Sequence, residues 1–110
     1  MDLKEKILET KAIKIFVEEK DKEIGRCFIY IIKNDLHEEP YALLEDVFVD
    51  ENFRGKGIGT ELVKRAIEFA RKLNCYKIIA TSRFGRENIH EWYQKLGFKK
   101  FGFEFRMDLK

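Results

Sequence analysis

The spacing of apolar residues predicts three β-strands in the first half of the chain. Apolar side chains alternate with others over residues 12–17, and a second run rich in β-branched and aromatic residues covers 24–32 after a charged turn. Two such runs joined by a short polar turn are typical of a β-hairpin. A third run, residues 41–49, is apolar at most of its positions, which favours a strand in the centre of a sheet.

The second half of the chain combines one long helical pattern with shorter elements. Over residues 57–73 apolar side chains lie on one face and charged pairs stand four positions apart on the other, which predicts an amphipathic helix. We predict a strand over 76–81 and a second helix over 87–96 that stops at Gly97. Residues 101–109 carry apolar side chains at every second position, which predicts a closing strand with one aromatic face. The two strands that flank the first helix are expected to be parallel, because such a crossover is right-handed.

Composition and charge are typical of one folded domain over residues 1–110. The chain is 45% hydrophobic and 38% charged, with one Pro and no low-complexity tract, which argues against disorder. Its 22 basic and 20 acidic residues are spread along the chain, so no basic stretch indicates nucleic acid, and no apolar run is long enough to predict a membrane span. Two isolated cysteines and the absence of an N-terminal apolar signal segment predict a cytoplasmic protein.

The junction between the third strand and the first helix is the strongest functional signal. Residues 54–60 read R-G-K-G-I-G-T, with glycine at three alternate positions. Glycines let the backbone approach an oxyanion closely, and the first N–H groups of a helix point at it, so this loop is predicted to bind phosphate. The spacing matches neither a nucleotide-triphosphate loop nor a dinucleotide loop. The alternative is that the glycines only let the helix pack closely on the sheet.

Three short motifs resemble those of the GNAT superfamily of N-acetyltransferases. The order R-x-x-G-x-G, formed by Arg54, Gly57 and Gly59, resembles the coenzyme A pyrophosphate loop of that family. The strand L-E-D-V-F-V before it resembles the family's central strand, and residues 92–98, W-Y-Q-K-L-G-F, resemble its Y-x-x-L-G-F helix end. The resemblance implies an α/β (α+β) fold with flanking helices and a mixed, mostly antiparallel sheet, whose central parallel strands splay apart to admit the cofactor.

The same resemblance implies that acetyl-CoA is the cosubstrate. The backbone edge of the third strand would pair with the pantetheine arm, and its N–H groups would stabilise the oxyanion formed during acyl transfer. The glycine loop would hold the phosphates. The residues expected to bind the cofactor are Val47, Phe48, Val49, Arg54, Gly55, Lys56, Gly57, Ile58, Gly59 and Thr60.

Acetyl transfer to an amine needs a base and an acid. An amine with a pKa near ~10.4 is protonated at neutral pH, and the thiolate leaves more easily when it is protonated. Glu45 is the expected base, and Asp46 beside it would bind a cationic substrate; the alternative is that both carboxylates only lie in solvent at a strand end. Resemblance to the family implies that Tyr93 is the acid, and the alternative is that Tyr93 only packs in the core.

These features predict an enzyme that moves an acetyl group from acetyl-CoA to a primary amine by direct attack. Neither cysteine has a histidine at a nucleophile's spacing, and no residues have the spacing of a metal site, so neither an acyl-enzyme nor a metal is expected. Only residues 1–10 precede the first hairpin, where family members carry a strand and two helices. We therefore expect an open acceptor side that fits a protein N terminus, a lysine, a polyamine or a small amine, or that a second subunit completes in a homodimer. The alternative is a catalytically inactive domain that binds coenzyme A or regulates another protein.

Overall fold

The computed structural model describes residues 1–110 and shows a four-stranded sheet, three of whose strands are antiparallel. Strand β1 (Ala12–Glu19) pairs with β2 (Lys22–Ile32), and β2 pairs with β3 (Tyr41–Val49). The turn between β1 and β2 consists of Lys20 and Asp21, with φ angles of 53° and 64°. Positive φ at both positions is the mark of a type I′ turn, whose twist matches that of the paired strands. The predicted hairpin is confirmed.

A short fourth strand follows the first helix. Strand β4 (Ile78–Ala80) lies beside β3 at the edge of the sheet. The Tyr76 N–H donates to the Pro40 carbonyl and the Ala42 N–H donates to the Lys77 carbonyl, each at 3.0 Å, so the two segments run in the same direction. The sheet is therefore mixed, with an antiparallel part and one parallel pair, as the crossover predicts.

Helix α1 (Ile58–Lys72) packs against the sheet and forms the core with it. No polar or charged residue is buried there. At Gly25 the helix comes so close that a Cβ atom would lie 3.0 Å from Ile58 Cγ2 and 3.3 Å from Leu62 Cδ1. Burial of this kind of apolar surface supplies most of the driving force for folding. The buried side chains are those of Ile24, Cys27, Ile29, Ile31, Ala42, Leu44, Leu62, Val63, Ala66 and Ala70.

Strand β3 carries a bulge at Asp46. Phe28 on β2 is paired with Glu45, whereas Arg26 is paired with Phe48, so β3 has one more residue than β2 in this interval. Asp46 lies in the interval and has a φ angle of 53°, in the left-handed region. A bulge of this kind interrupts the hydrogen-bond ladder and changes the direction of the side chains around it.

The predicted elements differ from the observed ones mainly in length. Strand β3 has the predicted bounds, and α1 is one residue shorter at each end than the predicted helix over 57–73. The strand predicted over 76–81 is reduced to the three residues of β4. The chain divides into two compact units, Met1–Ile79 and Ala80–Lys110, which are described separately. The single domain over residues 1–110 stays a prediction.

The second unit is built around helix α2 (Glu87–Lys95), as predicted. Two hydrogen bonds of 3.0 Å close its C-terminal end: the Gly97 N–H donates to the Gln94 carbonyl, and the Phe98 N–H donates to the Tyr93 carbonyl. Together they form a Schellman motif, which requires a residue of positive φ directly after the helix. Gly97 meets the requirement with a φ angle of 108°, and this explains why α2 stops there.

The prediction of a closing strand over residues 101–109 is wrong. These residues form neither a strand nor a helix, and the sheet has only the four strands already described. Their apolar side chains are exposed, from 77% for Phe103 to 99% for Phe101. Alternation gives a segment one apolar face, but a strand forms only when a neighbouring strand takes up its backbone hydrogen bonds.

Candidate active site

The loop after β3 is fixed to the sheet before it reaches the glycines. The Asp50 carboxylate accepts a hydrogen bond of 2.9 Å from the Asn52 N–H and thereby caps the short 3₁₀ helix Glu51–Phe53. This hydrogen bond, with help from Lys22, lowers the pKa of the Asp50 carboxyl because it stabilises the ionised form. The Asp50 N–H also donates to the Ile24 carbonyl at 2.8 Å. The direction in which the chain leaves β3 is set by these contacts.

Gly55 and Gly57 adopt a backbone conformation that favours glycine. Their φ angles are 81° and 82°, and a Cβ atom at either position would meet no heavy atom within 4 Å beyond the neighbouring residues. Close packing of the helix on the sheet therefore does not explain glycine at positions 55 and 57. Gly57 is also the N-cap of α1 and provides no side-chain hydrogen bond to the helix. The start of α1 therefore combines open space with the positive end of the helix dipole, an arrangement suited to an anion.

Two exposed cations, Arg54 and Lys56, stand next to these glycines in the loop. Arg54 Nε donates to the Val49 carbonyl at 2.9 Å and so connects the loop to the end of β3. Lys56 Nζ lies 5.3 Å from the centre of the Phe53 ring. Both side chains are exposed, so they add positive charge beside the helix start, where it complements phosphate.

The end of β3 joins the bulge to the glycine loop. Val47 and Val49 are half-buried and Phe48 is exposed, which follows the alternation of a strand. The residues predicted to bind the cofactor, 47–49 and 54–60, thus lie close together along the chain of the first unit, with Glu45 and Asp46 directly before them.

Glu45 and Asp46 are neighbours in the chain, but only Asp46 has a charged partner. Arg26 Nε and Nη2 donate to the two carboxylate oxygens of Asp46 at 2.8 Å and 3.3 Å, and these bonds raise the pKa of Arg26. The Arg26 guanidinium also lies 4.7 Å from the centre of the Phe48 ring. Glu45 is half-buried opposite Phe28 and forms no side-chain hydrogen bond or ion pair. The Asp46 carboxylate is thus engaged by Arg26, whereas that of Glu45 has no such partner.

Tyr93 belongs to the second unit, where the end of α2 holds it on both sides. Its ring meets Phe98 edge-on, with centroids 5.3 Å apart, and lies 5.0 Å from Trp92. Its carbonyl accepts the Phe98 N–H of the Schellman motif. His90 in the same unit places Nε2 2.9 Å from the Arg83 carbonyl, so this imidazole is engaged with the loop before α2. The backbone and the ring of Tyr93 are both held in place within the second unit.

Neither cysteine has the properties of an acyl-carrying nucleophile. Both thiols are free, and burial raises the pKa of each, to about 11 for Cys27. Little thiolate is present at neutral pH when the pKa is raised. The structure contains no group of three or more His, Cys, Asp or Glu side chains that could hold a metal ion, and no helix long and apolar enough to cross a membrane.

Sequence reasoning missed the pair of Arg26 and Asp46. The two residues are 20 positions apart, and they meet only because of the register shift between β2 and β3. No residue type marks that shift, since Asp46 has an ordinary β-strand context on both sides. The Schellman motif did leave a signal, because glycine followed by an apolar residue after a helical pattern is typical of it.

Sequence comparison finds relatives among N-acetyltransferases. A family model described as the acetyltransferase (GNAT) family matches residues 2–98. The chain is 39% identical over 66 residues to the glucosamine 6-phosphate N-acetyltransferase of Trypanosoma brucei brucei, covering 60% of this chain and 43% of that protein. It is 32% identical over 91 residues to the N-acetylaspartate synthetase of Rattus norvegicus, covering 74% and 30% respectively. The chain thus spans less than half the length of these curated relatives.

Several solved structures of similar fold are described as acetyltransferases. An acetyltransferase of Trypanosoma brucei superposes with a TM-score of 0.80 at 29% identity, over 89% of this chain and 69% of that one. A protein of Agrobacterium tumefaciens described as an acetyltransferase superposes with a TM-score of 0.78 at 31% identity, over 87% and 69%. With its mixed sheet, its glycine loop before α1 and a family match over nearly its whole length, the chain belongs to the GNAT family of acetyltransferases.

Proposed function

We propose that this chain transfers an acetyl group from acetyl-CoA to a primary amine by direct attack. The observation that carries the proposal is the start of α1, where Gly57 has positive φ, open surroundings and no side-chain cap. Acetyl-CoA is the cosubstrate of the family and supplies an activated thioester. Its phosphates are the kind of anion that an open helix start can bind.

The residues that would hold acetyl-CoA follow one another along the chain. The N–H groups of residues 57–60 and the charges of Arg54 and Lys56 would bind the phosphates, because both kinds of group are directed at or lie beside the same open space. Residues 47–49 would pair with the pantetheine arm through their backbone, as a strand pairs with its neighbour.

Glu45 is proposed as the general base. A primary amine with a pKa near ~10.4 is protonated at neutral pH and is not nucleophilic, so a base must take its proton. Glu45 forms no ion pair, and its carboxylate can receive that proton directly or through a water molecule. The substrate-binding role of Asp46 stays a prediction, and it would require a cationic acceptor to share the carboxylate with Arg26.

Tyr93 is proposed as the general acid, which gives its phenol proton to the departing sulfur. This role rests on resemblance to the family's helix-end motif, supported by the Schellman motif that fixes the residue at the end of α2. One proton moves from the ammonium to Glu45 before attack, a second leaves the nitrogen for water as the tetrahedral intermediate collapses, and Tyr93 gives its proton to sulfur, so the products are an amide and the coenzyme A thiol. Proton exchange with water then restores both side chains.

The acceptor is proposed to be an exposed primary amine. The two relatives compared above are named for glucosamine 6-phosphate and for N-acetylaspartate, which differ in size and charge. Membership of the family therefore supports acetyl transfer in general and does not favour one acceptor. A panel must include a sugar phosphate amine, an amino acid, a polyamine and peptides with a free N terminus or lysine.

The experiment combines acetyl-CoA binding with turnover. Acetyl-CoA should raise the melting temperature of the chain, whereas coenzyme A lacking its phosphates should raise it much less. Thiol release measured over the amine panel should then identify at least one acceptor. Binding without thiol release for every amine would favour the inactive coenzyme A-binding domain. The absence of any melting shift or calorimetric heat with acetyl-CoA would refute the assignment of the loop as well.

A further inference from the structure

The first three strands of the sheet have a second face, opposite the one that α1 covers. On β2 the buried residues run from Gly25 to Ile31 at every second position, and Gly25 lies against α1. The side chains between them point to the other side of the sheet. Cross-strand pairs extend that side to both neighbours, since Phe28 pairs with Lys14 on β1 and with Glu45 on β3. We call it the second face, and these three residues form its central row; Phe16, Arg26, Tyr30 and Phe48 complete it.

The second face is rich in aromatic rings. Phe16, Tyr30 and Phe48 are exposed, and Phe28 is half-buried. The rings of Phe28 and Tyr30 are nearly parallel, with 11° between their planes and 6.2 Å between their centroids. Lys14 Nζ lies 5.2 Å from the centroid of Phe16 and 5.8 Å from that of Phe28. The faces of aromatic rings attract cations, and these contacts show that the rings of this face do so.

Glu45 carries the only charge of the second face that has no partner of opposite charge. Lys14 forms a salt bridge with Glu23, and Arg26 pairs with Glu23 at 3.4 Å and with Asp46 at 2.8 Å. Both cations of this face are thus already engaged by carboxylates. The half-buried Glu45 carboxylate forms no side-chain hydrogen bond or ion pair. A lone carboxylate in such a place favours a cation beside it and disfavours a second anion.

We propose that the acceptor is a cationic primary amine on an aromatic or other apolar body, and that Phe28 and Tyr30 select it. The ammonium would neutralise Glu45, and the apolar body would lie on the two rings. Amines that also carry a phosphate or a carboxylate would be poor acceptors, because the second face offers such a group no unengaged cation. This inference rests on the proposed function and names the class of its acceptor. It separates this chain from relatives named for glucosamine 6-phosphate and N-acetylaspartate, both of which carry anionic groups.

The first test compares acceptors by thiol release from acetyl-CoA. The kcat/KM for 2-phenylethylamine should exceed those for glucosamine 6-phosphate and aspartate by at least about 30-fold, since the latter bring an anion beside a lone carboxylate. Equal or higher values for the anionic amines would overturn this inference and leave the acetyltransferase function standing. If no amine released thiol, the proposed function would fail instead. The binding test below needs no turnover and would then decide which class of ligand the second face takes.

Phe28→Leu tests whether the ring makes the selection. It keeps an apolar side chain and removes the aromatic face, so kcat/KM for 2-phenylethylamine should fall about 5-fold to 10-fold, mainly through KM. The KM for acetyl-CoA should not change. Phe16→Leu is the matched control, because Phe16 lies on the same face but outside the row of Glu45. Equal losses in the two variants would overturn the role of Phe28.

The binding test uses the unaltered chain in the presence of coenzyme A. 2-Phenylethylammonium and 3-phenylpropionate are similar in size and opposite in charge, so they serve as matched probes. The ammonium should shift the NMR amide signals of Phe28 and Glu45 in a saturable manner, and the carboxylate should not. Equal shifts with both probes, or no shift with the ammonium, would overturn the proposal.

Discussion

The two helices of this protein have ends of opposite character. At the C-terminal end of α2, the N–H groups of Gly97 and Phe98 take up the free carbonyls. At the N-terminal end of α1, Gly57 offers no side-chain cap, although Asp50 caps the 3₁₀ helix a few residues earlier. The chain thus closes the C-terminal end of α2 and the start of the 3₁₀ helix with local groups, and it provides no side-chain cap at the start of α1. We interpret the closed ends as devices of stability and the open one as a binding site.

The two carboxylates before the loop repeat this contrast. Asp46 is held by two hydrogen bonds from Arg26, while Glu45 one position earlier has no such partner. A half-buried carboxylate without a partner has a cost in stability, which is expected at a functional position more than elsewhere. Substitutions at groups without a local partner, such as Gly57 and Glu45, should therefore change mainly activity. Substitutions at groups with local partners, such as Gly97 and Asp46, should change mainly stability.

Gly57→Glu should have the largest effect, because it places bulk and negative charge at the open helix start. Like charges brought together at a binding site cost several kcal/mol, so the affinity for acetyl-CoA should fall at least about 100-fold. Gly85→Glu is the matched control, since Gly85 has a φ angle of 83° and equally open surroundings. Titration calorimetry with acetyl-CoA compares the two. Unchanged affinity in a folded Gly57→Glu variant would show that the loop does not bind the cofactor.

Glu45→Gln should lower turnover with little change in acetyl-CoA affinity, because it keeps the shape and removes the base. Loss of a general base typically costs about 10²-fold to 10⁴-fold. Asp46→Asn is the neighbouring control, and its main effect should be on stability and on the KM of a cationic acceptor. Rates at saturating amine across the pH range provide the measurement. If Glu45→Gln matched the unaltered enzyme at every pH, the base would have to be another group.

Tyr93→Phe should lower kcat by about 10²-fold, since it removes the proton donor and keeps the ring. The contacts of that ring with Phe98 and Trp92 do not require the hydroxyl, so unfolding should change by only about 1 kcal/mol. Melting temperature, acetyl-CoA affinity and turnover of the variant are measured together. Full activity in the folded variant would leave Tyr93 with a packing role.

Gly97→Ala should have the smallest effect on catalysis and a clear one on stability. A residue with a Cβ atom at a φ angle of 108° strains the closed end of α2, at a cost of about 1–2 kcal/mol. Gly102→Ala, at a glycine without positive φ, is the control and should change stability little. Urea unfolding of both variants gives the free energies. An equal loss at the two positions would contradict the role assigned to the Schellman motif.

Much of the fold could be predicted from the sequence, because local patterns specify it. The bounds of β3 follow from a dense apolar run, and those of α1 from a repeat of apolar residues near 3.6 positions. The end of α2 follows from Gly97. Residues 101–109 show the limit of the method, since alternation describes one face of a strand and says nothing of which strand lies beside it.

The site could be predicted only in part for a related reason. The loop could be recognised because its glycines stand at alternate positions within a short stretch, and the φ angles of Gly55 and Gly57, 81° and 82°, show a backbone that favours glycine there. Phosphate binding by the loop stays a prediction. The roles of Glu45, Asp46 and Tyr93 stay predictions. That Arg26 engages Asp46 depends on one extra residue in β3, and a one-residue change of register leaves no mark in composition or periodicity.

The close approach of α1 to Gly25 makes the residue tolerated at position 25 depend on the residue at position 58. Even a single methyl group there would displace Ile58 or Leu62 by a few tenths of an ångström, and Ile58 is the residue directly after Gly57. Residue 25 on β2 thus sets how closely α1 approaches the sheet. If residue 25 and the loop over residues 54–60 were randomised together and selected for function, certain combinations should be enriched. Alanine at position 25 should therefore change which loop sequences are selected.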